Sequence, residues 1–117
     1  MGSIASYFMS QQDQDAVVGR LLREHKEQSD LVVKLDVEAK RLGEEYTALG
    51  QALILQPGGV VFPGEGVPTG FTRQRYEVKP SIFEVERLKA LLTDYRSAVA
   101  KRDQYFSQLT SLGHSPR

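Results

Sequence analysis

"PSIFEVERLKALLTDYRSAVAKRDQYFSQLTSLG", residues 80–113, carries its apolar side chains in three helical tracks rather than two. In heptad notation, a holds Val85, Leu92, Val99 and Phe106, and d holds Leu88, Tyr95, Arg102 and Leu109. A further track at g holds Leu91, Ala98, Tyr105 and Leu112. A two-stranded seam needs only a and d, so this stripe is wider than one helical neighbour covers. Pro80 followed by Ser81 and Glu84 reads as a capping box with Ser81 as N-cap. Gly113, with Pro116 beyond it, marks the stop. The spacing predicts a helix over 81–113 and a short tail over 114–117.

Upstream, a second heptad runs from Val18 to Leu53. Its a positions are Val18, His25, Val32, Ala39, Tyr46 and Leu53, and its d positions are Leu21, Gln28, Leu35, Leu42 and Leu49. A 3.5-residue repeat of this length favours a left-handed supercoil. Ser10 with Asp13 gives a start signal and Pro57-Gly58-Gly59 a stop, which predicts a helix over 11–55 preceded by an arm over 1–10. The fold expected is all-α: one domain, a long antiparallel helical hairpin of coiled-coil type, with a Gly/Pro-rich β-hairpin-like insert over 56–80. The surplus apolar tracks, Leu91, Tyr105 and Leu112 with Leu22 and Leu31 on the first helix, form the expected interface. Their burial against a second copy gives a dimeric four-helix bundle.

At 1.5 Å per residue the first helix is about 67 Å long and the second about 46 Å. Either about 20 Å of the first projects, or the insert folds back over its C-terminal third. Gly43 and Gly50, one heptad apart, would let another backbone approach there.

The insert contains a short apolar run, Val60-Val61-Phe62, and an alternating run from Phe71 to Val78, with turn residues between. Both runs read as strands of a β-hairpin. Helix, β-hairpin, helix resembles the layout of a prefoldin-type subunit. At the level of layout, that implies a holdase-like chaperone as an alternative function. The insert's contact residues are Phe62, Phe71, Arg73, Arg75, Tyr76 and Lys79. The last four make a basic and aromatic cluster, and so a nucleic-acid module is a further alternative.

The charge balance argues for protein partners rather than phosphate. The 117 residues hold 15 basic and 15 acidic side chains, so the net charge is zero. Residues 1–56 carry 6 basic and 9 acidic groups, and residues 57–117 carry 9 and 6. Opposed halves suit segments that pack on one another. His25, Gln28 and Arg102 form an expected polar layer in the seam that fixes register. No cysteine is present, which excludes disulfides and thiolate chemistry. GEGVPTG has one residue too many for a dinucleotide loop. With no nucleophile elbow, metalloprotease helix motif or P-loop in the sequence, the chain is expected not to be an enzyme and to need no metal or cofactor. No apolar run approaches the roughly 20 residues of a membrane span, and the N-terminus lacks a signal-peptide pattern. A cytoplasmic protein that assembles with itself or with another subunit is expected. Residues 1–6, MGSIAS, fit the N-myristoylation pattern, and Ile4, Tyr7 and Phe8 make a small apolar hook for a neighbouring chain.

Overall fold

The computed structural model describes residues 11–116. The Ser10 cap, the hook at Ile4, Tyr7 and Phe8, and the MGSIAS pattern lie outside the described residues. Two long helices dominate: α1 (Gln11–Leu55) and α2 (Val85–Ser111). They pack together, an arrangement compatible with a helical hairpin. Between them come two-residue strands, β1 (Val60–Val61) and β2 (Tyr76–Glu77), and three short 3-10 turns. Contacts divide the chain into two units, residues 1–34 with 94–117, and residues 35–93.

In the first unit the buried side chains are Leu21 and Val32 from α1, and Ala98 and Leu109 from α2. Leu109 is wholly inaccessible. His25 and Phe106 meet with ring centroids 6.3 Å apart. The helix ends as Gly113 dictates. Gly113 takes a φ of +83°, the His114 N–H donates to the Leu109 carbonyl (2.9 Å), and the Gly113 N–H donates to Thr110 (3.0 Å). These are the two bonds of a Schellman motif, and they satisfy carbonyls the helix would leave open.

The second unit joins the last turns of α1 to the insert. Its core is Leu35, Ala52, Val61, Val78 and Ile82, all 7% exposed or less. The strands pair in parallel, Val60 with Tyr76 and Val61 with Glu77, so the expected β-hairpin is not what forms. Parallel pairing needs a crossover of a dozen residues or more, and residues 62–75 supply it. Pro63-Gly64 and Thr69-Gly70 each sit at the centre of a turn, closed by Glu65 N–H to Phe62 O and by Phe71 N–H to Pro68 O. The alternating run from Phe71 is not a continuous strand either, because Thr72–Gln74 is a 3-10 turn. The prefoldin-like layout thereby loses its central hairpin.

The start of α2 also differs from the reading of Ser81 as N-cap. Pro80–Phe83 is a 3-10 turn, and Glu84, with a non-helical backbone, accepts the first helical bond from Leu88 N–H (3.1 Å). Burial of Ile82 holds this extra turn in place. Gly43 and Gly50 have nothing within 4 Å of an added Cβ, so no backbone of this chain approaches them. Gly59 is the glycine that close packing requires, since a Cβ there would overlap the Gln74 carbonyl.

The two kinds of glycine make a direct test. Gly59→Ala should destabilise by about 1–3 kcal/mol through forced displacement of the Gln74 backbone. Gly43→Ala should stabilise by roughly 1 kcal/mol, as for an exposed helix interior. Urea denaturation followed by circular dichroism measures both, and equal effects would contradict the packing described.

Candidate protein-interaction surface

The seam on α2 is not the a/d pair. Leu88, Leu91, Tyr95, Ala98, Arg102, Tyr105 and Leu109 are buried or half-buried, spaced by alternating steps of three and four, and Val99 is half-buried beside them. The stepped line is the d/g pair. Ala98 is the small residue of this line and is 2% exposed. Most of the a track is left outward, with Val85 58% exposed, Leu92 38% and Phe106 44%, while Val99 is half-buried and Phe106 keeps its ring contact with His25. On α1 the heptad holds to Leu42 and then slips. Glu45 and Ala52, both at g, turn inward beside Leu49 at d, while Leu53 at a is half exposed. Tyr46, also at a, keeps a partner by donating its hydroxyl to the Ile82 carbonyl.

The expected interface residues therefore divide. Leu22 and Leu112 are exposed, at 40% and 46%. Leu31 is half-buried. Leu91 and Tyr105 are half-buried as well, in line with the buried Ala98 and Leu109. Sequence reasoning passed over Val85, Leu92 and Phe106 because a and g are equally apolar. The small residue at Ala98 was the available signal, since a closely packed seam favours it over Val99.

None of the expected polar layer is fully buried. His25, Gln28 and Arg102 are each half-buried. His25 stacks obliquely on Phe106, and Arg102 Nε donates to Asp103 Oδ1 at 3.1 Å. Among the described residues no cluster of three metal-ligating side chains occurs. No helix among them is long and apolar enough to cross a membrane.

In the insert, aromatic rings stand outward on a fixed base. Phe62 and Phe83 lie 6.4 Å apart between centroids and are each about half exposed. Phe62 is held by reciprocal bonds with Glu65, its N–H donating to Oε1 at 3.1 Å. Phe71 leans on Gly58, which has no room for a side chain. The basic residues are mostly matched. Arg75 pairs with Glu77 at 2.7 Å, and Lys79 reaches Glu45 of α1 at 2.6 Å. Arg73 is exposed, and Tyr76 is half-buried on β2. The Phe62 and Phe83 pair, at roughly 200 Å² a side chain and half exposure, presents about 200 Å² of apolar surface, and Phe71 packs on Gly58 instead.

No family model, curated protein or solved structure matches the chain.

The tie between insert and helix has a pH signature. The hydrogen bond to Glu45, and then the charge of that carboxylate, hold the Lys79 pKa above its ordinary value. A raised lysine pKa stabilises the fold fully below the unfolded value of about 10.4 and loses that effect as pH rises through the folded value. The Lys79 side-chain NMR titration should therefore move down in Glu45→Gln. An unchanged midpoint would contradict the contact.

Proposed function

We propose that this chain is a non-enzymatic assembly or adaptor subunit that binds protein through apolar helix surface left over from its own packing. The observation that carries this reading is the exposure of Val85, Leu92 and Phe106 along one track of α2, beside a d/g seam already turned inward. A helix with three apolar tracks and one neighbour retains one track for another molecule. Burial of that track against the same track of a second copy gives an antiparallel dimeric four-helix bundle, with the α2 helices in the shared core. The insert adds a second contact through Phe62 and Phe83.

Nucleic acid is the weaker reading. Two of the three cations in the basic and aromatic cluster, Arg75 and Lys79, already face carboxylates, which removes charge that phosphate neutralisation would use. A chaperone reading rested on the hairpin layout, and the strands run parallel instead.

Paired substitutions separate the outward track from the seam. Leu92→Glu with Phe106→Glu should give a folded chain of lower mass by sedimentation velocity, with helicity kept. Leu91→Glu with Tyr105→Glu should lose helicity, because each places a charge in the seam at a cost of a few kcal/mol. An outward pair that leaves the assembly mass unchanged would sink the reading.

A further inference from the structure

The face of α1 opposite its buried stripe holds a second pattern. Inside the 35–93 unit the inward positions of α1 are Leu42, Glu45, Leu49 and Ala52. Half a turn away stand Val37, Lys40, Glu44, Thr47 and Gln51, at steps of three and four, the repeat of a helix-packing seam. All five are exposed, and Val37 is 50% exposed although it is apolar. An open hollow of about 520 Å³ lies over this face, lined by α1 alone through Lys40, Gly43, Glu44, Thr47, Ala48 and Gln51. Gly43 puts no side chain into it, and the space above its Cα is open.

We infer that a second copy of this chain seats its own α1 antiparallel against this face, with the two-fold axis level with residue 42 along the helix. That axis sets Lys40 against the partner's Glu44 and Glu44 against the partner's Lys40. It sets Val37 against the partner's Thr47, whose methyl group faces an exposed valine. Gly43 lies at the edge of this contact, where its missing side chain leaves room for the partner helix. A two-fold contact must be self-complementary, each residue meeting a different one and the exchange repeating. This strip meets that condition, with cation opposite anion twice. A parallel copy would set Lys40 on Lys40 and Glu44 on Glu44, which repel. Lys40 also bonds Asp36 of its own helix at 2.5 Å. An ammonium has three donors, so it serves both carboxylates. This surface lies on α1 and does not depend on the α2 track proposed above.

The chain has no cysteine, so crosslinking reads the register cleanly. Val37→Cys chains mixed with Thr47→Cys chains and mildly oxidised should give the mixed 37–47 dimer, and neither variant alone should link to itself. Val37→Cys linking to itself would overturn the antiparallel register. No link above that of an exposed control, Ser97→Cys, would overturn the contact. Lys40→Glu should reduce the mixed crosslink about tenfold, through two lost pairs and two new repulsions. Adding Glu44→Lys should restore it, and failure to restore it counts against the register. Gly43→Leu should abolish the crosslink with helicity unchanged or raised.

The two proposals fail separately. A chain that is dimeric by mass yet forms no 37–47 link overturns this inference and leaves the α2 reading standing. A 37–47 link, together with unchanged mass in the Leu92→Glu, Phe106→Glu chain, upholds this inference and overturns the other.

Discussion

Only two adjacent tracks of a helix can face one neighbouring helix. α2 carries three, and that surplus governs what the protein can do. The structure resolves it by burying d and g, with Ala98 and Leu109 almost inaccessible, and by leaving Val85, Leu92 and Phe106 outward. The proposed binding function follows from this choice of face rather than from any catalytic group.

The insert serves the same end by different means. Val61, Val78 and Ile82 form a small aliphatic core under the last turns of α1, and Gly59 lets the Gln74 backbone close over it. A reversal between two helices needs only a few residues. A parallel strand pair needs a crossover, and this accounts for the length of the segment. Lys79 and Tyr46 tie the insert to α1 through Glu45 and the Ile82 carbonyl. Phe62 and Phe83 stand about half exposed above this core, 6.4 Å apart between ring centroids.

Much of this was legible in the residues, and the remainder was not for physical reasons. The two long helices follow from unbroken heptads. Gly113 as the end of α2 follows from the need for a positive φ. The strand segments were visible as apolar runs, but their direction was not, because alternation specifies a face and not a partner. The inward track of α2 was ambiguous because a and g are equally apolar, so Leu91 and Tyr105, half-buried in line with Ala98 and Leu109, read as surplus. The slip of the α1 stripe after Leu42 depends on the insert competing for that surface, which is a tertiary effect. Gly43 and Gly50 suggested close approach, but a glycine signals only that a side chain is missing, not what fills the space.

The central claim is that surface left over from the chain's own packing is covered by another protein chain. Light scattering of the unmodified protein over a hundredfold concentration series tests it most directly. A mass of twice the 13.1 kDa chain or more, falling towards the monomer only on dilution, is the result this account predicts. A single 13.1 kDa species at every concentration would contradict self-assembly, and with it both the α2 track and the α1 face as homotypic contacts.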